Sequence, residues 1–261
     1  MNKQNDLNPA RSLYYGLLSQ MLVFTESEDR FANVIEIIDI LIQNPLDENS
    51  CEALKEIKEF LNIGGKELLI KEYDEIFHNP VTKNIRTTAS FYEEGFESGK
   101  KTLEVRNFLG KTRIRRNEKV FKETEDSVSF LVTFMYELVE LIIQGETSYE
   151  TLQHCLFAEV INEFIDQFII ELYEHDKSNV YKSLAIVLNA FMEFERLYFD
   201  VKKPKPKEID RTKSQESCTF ISTEEEKRRA QNRLNKAAES VIQSCALEDD
   251  YFEDENGLSE M

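Results

Sequence analysis

Glycine and proline are scarce in this 261-residue chain, at 8 and 5 residues. Few turn formers allow few tight turns, which counts against a many-stranded β fold. Cysteine is thin as well. Cys51, Cys155, Cys218 and Cys245 are scattered without a C-x-x-C pair, so the pattern is neither a disulfide framework nor a zinc site. Three histidines, His78, His154 and His175, are too few for a di-iron bundle, although Glu75-x-x-His78 has the spacing of one ligand pair. The longest apolar runs, such as Val34 to Ile42, are interrupted by charge and too short to span a bilayer. The opening MNKQNDLNPARSLYY lacks the charged, apolar, then small pattern of a secretory signal. These absences together predict a reducing, cytoplasmic location without stable membrane insertion. An excess of basic residues is missing too: 50 acidic residues oppose 32 basic ones, for a formal net charge of −18. Such a chain is repelled by a polyphosphate backbone, so nucleic acid is excluded as a general partner and basic peptides suit it better.

What the chain does contain is core material and helix formers. Hydrophobic residues make up 41%, with 18 phenylalanines, enough for a sizeable buried core. Glu, Lys, Leu and Ile favour helices. Asn8-Pro9 is expected to cap and open a first helix carrying Leu13, Leu17, Met21 and Phe24. Thr25 and Glu28 form a possible capping box for a second, with Phe31, Val34, Ile35, Ile38, Leu41 and Ile42 on one stripe. A third helix carries Leu54, Ile57, Phe60 and Leu61 and is stopped by Gly64-Gly65, and a fourth runs from about Lys66 to Phe77. His78 to Ser98 loses periodicity and reads as a long loop with one short turn of helix. Lys100 to Gly110 is a further helix, followed by a basic stretch from Lys111 to Lys122.

Three long helices complete the body. Val128 to Ile143 is apolar nearly all round, which predicts a central buried helix. Thr147 with Glu150 is expected to cap the next, where Phe157, Val160, Ile161, Phe164, Ile165 and Phe168 keep 3–4 spacing. Tyr181 to Tyr198 is the last. Residues 200–222 are polar and Pro-containing and read as a linker, 223–246 as an amphipathic helix, and 247–261 as an acidic disordered tail.

Constellations for catalysis fail on chemistry. Gly110-Lys111-Thr112 resembles the end of a phosphate-binding loop, but Val105 stands where that loop needs its first glycine, and no buried strand precedes it. His154 and Cys155 are adjacent, so they point to different sides of a helix and share no proton. No enzyme activity, metal or cofactor is expected.

Four segments, taken in order, resemble the TorD/DmsD/NarJ family of redox-enzyme maturation chaperones. Arg11-Ser12-Leu13-Tyr14-x-x-Leu17-Leu18-Ser19 resembles the family's opening helix. Glu72-Tyr73-x-x-Ile76-Phe77-x-x-Pro80 resembles its E-Y-x-x-L-F-x-G-P motif, with Asn79 in place of glycine. Ser90-Phe91-Tyr92 with Gly95 resembles the P-x-x-S-x-Y segment. Glu123-x-Glu125-Asp126-Ser127-Val128, followed by Phe134-Met135, resembles the acidic E-x-x-D-H hinge and its helix. Two positions depart: the hinge histidine is Ser127, and the tryptophan of the family's following helix is Phe164.

The resemblance spans residues 8 to 199. It implies an all-α, multi-helix bundle of the TorD-like type over 1–199, with a possible hinge at 123–127 and a C-terminal extension. It further implies a cytoplasmic chaperone for the twin-arginine signal peptide and apo form of a molybdoenzyme, a formate dehydrogenase or an S- or N-oxide reductase being the client class to try first. The peptide-binding residues it points to are Tyr73, Phe77, Tyr92, Glu123, Glu125, Asp126 and Ser127. Tyr73, Phe77 and Tyr92 fit equally as core aromatics, and Asp126 as the N-cap of the helix from Val128. The rival reading is a helical adaptor or regulator acting through the extension past Asp200.

Overall fold

The computed structural model describes residues 7–24, 31, 33–118 and 121–205, all within one unit, Met1–Ile209. The expected helix at 223–246, the tail at 247–261, most of the linker and the Thr25–Glu28 capping box lie outside the described residues. Among the described residues every regular element is helical, apart from one isolated bridge between Thr88 and Ser127.

The helices are α1 (Asn8–Leu22), α2 (Val34–Gln43), α3 (Glu48–Phe77), α4 (Ala89–Glu94), α5 (Lys100–Gly110), α6 (Val128–Ile143), α7 (Glu150–Leu156), α8 (Asn162–Glu174) and α9 (Val180–Phe199). Helix α6 is the greasiest, with Phe130, Leu131, Phe134, Met135 and Leu138 all buried, and α1 lies along it. Ser19 Oγ and Thr133 Oγ1, 2.7 Å apart, and a Ser12–Glu140 hydrogen bond join the two helices at their polar margins. Helix α9 packs on both α3 and α8. Its Phe191 stacks on Tyr14 and meets Tyr15 edge-on, at 5.0 and 4.8 Å between centroids, which draws α1 into the same core.

Local chemistry explains where the expectations shift. Gly64-Gly65 does break the helix as the sequence predicts, and α3 is two helices that meet at a kink. Gly65 adopts φ 67°, ψ −173°, which only glycine reaches cheaply, and the chain kinks there before resuming its helix to Phe77. Asn8 does not cap α1: Leu7 holds the cap position and makes no side-chain bond there. Asn8 Oδ1 instead accepts from Arg11 Nη1 at 2.9 Å and Tyr198 Oη at 3.1 Å, because a buried guanidinium needs acceptors that water cannot supply. Nor does Thr147 cap the next helix. A 3-10 turn at Thr147–Tyr149 leads into α7, and a π turn at Phe157–Ile161 joins α7 to α8.

One charged cluster lies wholly inside. Arg11 and Glu195, both fully buried, form a bidentate pair at 2.6 and 2.7 Å, and Tyr15 Oη donates to Glu195 at 2.8 Å. Gln153 Oε1 accepts a further Arg11 proton at 3.1 Å. Burial works to lower the Arg11 pKa, and the Glu195 carboxylate outweighs it, leaving the group above its ordinary value. Burial, reinforced by Glu195, pushes the Tyr15 phenol well above its usual range.

Candidate functional site

The site is built where the end of α3 meets the connection between α5 and α6. Glu72 is buried, and its Oε1 accepts from the backbone N–H groups of Asn179 and Tyr181 at 2.7 and 2.9 Å. A carboxylate on α3 thus caps the start of α9, satisfying donors that every helix N-terminus leaves open. Tyr73 Oη donates to Leu22 O at 3.3 Å and Tyr181 Oη to Met21 O at 2.8 Å, closing the C-terminal end of α1. Phe77 stacks on Phe168 at 6.5 Å and meets Tyr181 edge-on at 5.9 Å.

Beyond Phe77 the chain turns sharply. Asn79 Oδ1 accepts from Val81 N at 3.0 Å, and Thr82 Oγ1 donates to Glu75 O at 2.7 Å. Asn79 is not among the positive-φ residues, so this turn does not need the glycine that the family motif carries. Ile85 N then bonds back to Ile76 O at 3.1 Å, and Tyr92 Oη lies 2.8 Å from both Arg86 O and Glu171 Oε2.

The acidic segment Glu123–Val128 grips this loop from the other side. Val128 N donates to Thr87 O at 2.8 Å and Ala89 N to Asp126 O at 2.9 Å. Asp126 is fully buried, and its Oδ2 accepts from Ser90 N at 3.0 Å and Ser90 Oγ at 2.6 Å. It therefore caps α4, not α6. The α6 cap is Ser127, whose Oγ accepts from Phe130 N at 3.2 Å. Where the family carries a histidine, this chain thus buries a neutral capping hydroxyl. Glu125 is held by Arg106 at 3.0 Å and Arg116 at 3.6 Å. Burial alone would raise its carboxyl pKa, but the two guanidinium groups prevail and hold it below the ordinary carboxylate range.

Of the seven residues singled out from the sequence, two come together on one concave surface. Phe77 and Glu123 share a groove of about 250 Å³ with His78, Asn84, Ile85 and Arg86, and Thr87 and Glu97 complete the wall. Tyr73, Tyr92, Glu125, Asp126 and Ser127 are buried and do not line it. A second groove, about 490 Å³, shares Asn84 and Ile85 and adds the carboxylates of Glu171, Glu174 and Asp176 beside Lys83 and Lys177. Val81, 90% exposed, lines that groove. A third, about 450 Å³, shares His78 and carries Glu67, Asp74 and Glu75 against Lys71. The loop from His78 to Thr87 is therefore ringed by grooves in which carboxylates outnumber cations. No group of His, Cys, Asp or Glu suited to a metal ion occurs among the described residues.

Sequence reading missed Glu97 and the Arg11–Glu195 cluster. Glu97 had no signal, being one acidic residue among 50 in a stretch without periodicity. Arg11 did have one, because it shares a face with Asn8 and Tyr15 on an otherwise apolar helix.

The family model described as nitrate reductase delta subunit matches residues 43–169, a span that holds the end of α3, the loop after it and the acidic segment before α6. No curated protein matches the chain significantly. A solved structure described as a candidate redox enzyme maturation protein from Archaeoglobus fulgidus is 17% identical, with a TM-score of 0.42, over 71% of this chain and 93% of that one. Among the described residues no helix is long and apolar enough to cross a membrane. With its E-Y-x-x-I-F turn and serine-capped acidic segment both inside the matched span, the stretch 43–169 is similar to the NarJ/TorD-like family of redox-enzyme maturation chaperones.

Proposed function

We propose that this protein is a cytoplasmic chaperone that binds the twin-arginine signal peptide, and the apo form, of a molybdoenzyme. It holds its client until the cofactor is inserted and performs no chemistry of its own. A formate dehydrogenase or an S- or N-oxide reductase is the client class to try first. The observation that supports this most is the acidic ring of grooves around the loop His78–Thr87, flanked by Phe77 and Glu123.

The physical division of labour follows from magnitudes. An exposed ion pair contributes about 0.2–1 kcal/mol, whereas burying a Leu or Phe side chain contributes roughly 1.5–3 kcal/mol. The apolar stretch of a signal peptide therefore supplies affinity, against Val81 and the half-exposed Ile170 and Tyr173 of α8. Glu97 and Glu123 receive the arginine pair and set its orientation. Tyr73, Tyr92, Glu125, Asp126 and Ser127 act from beneath, by fixing the loop and the hinge that shape the groove.

Calorimetric titration with candidate signal peptides tests the reading. Micromolar binding is expected for a twin-arginine peptide, with clear weakening when both arginines become alanine. No binding by any twin-arginine peptide contradicts it. In the rival adaptor reading the extension past Asp200 does the work. Deleting residues 201–261 leaves peptide binding intact in the account proposed here and abolishes partner binding in the rival.

A further inference from the structure

A groove suited to arginine already holds an arginine of this chain. Arg86 leaves the loop beside Glu97 and Glu123, with its guanidinium carbon 5.5 Å above the Phe91 ring centre and Nη1 3.7 Å from Glu97 Oε1. That separation neutralises charge without making a hydrogen bond. Among the described residues the Arg86 guanidinium donates no hydrogen bond, so its fork of N–H groups is left to water. Both side chains are about half exposed, at 57% and 44%.

The carboxylates, in contrast, are fixed by other means. Glu97 Oε2 accepts from Thr88 Oγ1 at 2.5 Å, and Glu123 accepts from Ser129 Oγ. Neither hydroxyl depends on Arg86, so both acceptors keep their places when Arg86 swings away. The turn that projects Glu97 is itself constrained. Gly95 has φ 82° and Ser98 φ 59°, a left-handed conformation that a non-glycine residue adopts only when its surroundings hold it there.

Resting on the peptide-binding reading above, we propose that Arg86 is an internal competitor for the arginine site: it occupies the Glu97 acceptor in the free protein and is displaced by an arginine of the client peptide. A planar guanidinium from the peptide can bond the carboxylate bidentately, which Arg86 at 3.7 Å does not. A lysine offers only a point charge and displaces Arg86 less well. The residue therefore lowers the affinity of every occupant of the site by one common factor, while the choice of arginine over lysine rests on the geometry of the carboxylates.

The test is a titration of the full chain, wild type, Arg86→Gln and Arg86→Lys, with a twin-arginine signal peptide and with its twin-lysine counterpart. Because the exposed pair is weak, Arg86→Gln is expected to bind the arginine peptide about two- to fivefold tighter. It is expected to gain by the same factor for the lysine peptide, since one competitor lowers both affinities alike, and Arg86→Lys falls between. Binding by Arg86→Gln alone also supports the proposal. Unchanged or weaker binding by Arg86→Gln, with wild-type binding intact, overturns it and leaves the peptide reading standing. Absence of binding by all three proteins overturns both.

Discussion

Two arginine–carboxylate pairs in this molecule resemble each other in chemistry and differ in everything else. Arg11–Glu195 is fully buried, bidentate, and surrounded by Asn8, Tyr15 and Gln153. Arg86–Glu97 is half exposed, 3.7 Å apart, and lies in a groove. The first is an element of architecture, because each partner removed from it strands a charge away from water. The second is an element of recognition, because each partner removed from it is replaced by solvent at little cost.

That contrast can be broken at several points. The largest effect belongs to the sealed pair. Glu195→Ala is expected to cost about 3–5 kcal/mol in urea denaturation, since Arg11 is left buried and unpaired. The double change Arg11→Met with Glu195→Leu recovers most of that loss if desolvation is the cause. A smaller loss, about 1–3 kcal/mol, is expected for Asp126→Ala, which leaves the Ser90 N–H at the start of α4 without its acceptor. Hydrogen exchange checks the assignment: protection is lost at Ala89 and Ser90 and through α4 before it is lost in α6.

Glu125 gives a pH-dependent test of the segment that leads into α6. Its carboxyl is held below its ordinary value of 4.5 in the folded protein. Folding therefore gains from the ionised group above that value, and the gain disappears as pH falls through the lowered folded pKa. Glu125→Gln is expected to be less stable than wild type by about 1 kcal/mol at pH 7 and to converge with it in acid. A difference that persists unchanged in acid means that Glu125 acts by packing rather than charge. At the open end, Glu97→Gln is expected to change stability by no more than about 0.5 kcal/mol. The same change weakens binding of a twin-arginine peptide about two- to fivefold.

Much of this architecture is legible in the sequence, for a simple reason. Helices α5 and α6 fall on the bounds that periodicity predicts, and α9 within a residue of them, because each buries a regular apolar stripe. What periodicity cannot see is polar chemistry between distant segments. Glu72 caps a helix more than 100 residues away, and Asp126 caps α4, although by spacing it suits α6. The π turn at Phe157–Ile161 escapes notice because the apolar pattern runs through it without interruption. At the site, Phe77 and Glu123 were marked by their motifs. Glu97 was not, since its place depends on a turn that only the three-dimensional loop defines.

The central claim is that client peptides bind in the groove beside the loop His78–Thr87. Photo-cross-linking tests it most directly, with a twin-arginine peptide carrying a photoreactive phenylalanine next to the arginine pair, followed by mapping of the adducts. The account predicts adducts on residues 77–87 and around Glu97 and Glu123, suppressed by excess unlabelled peptide. Competed adducts confined to the far end of α9, where Leu197 is exposed, contradict it.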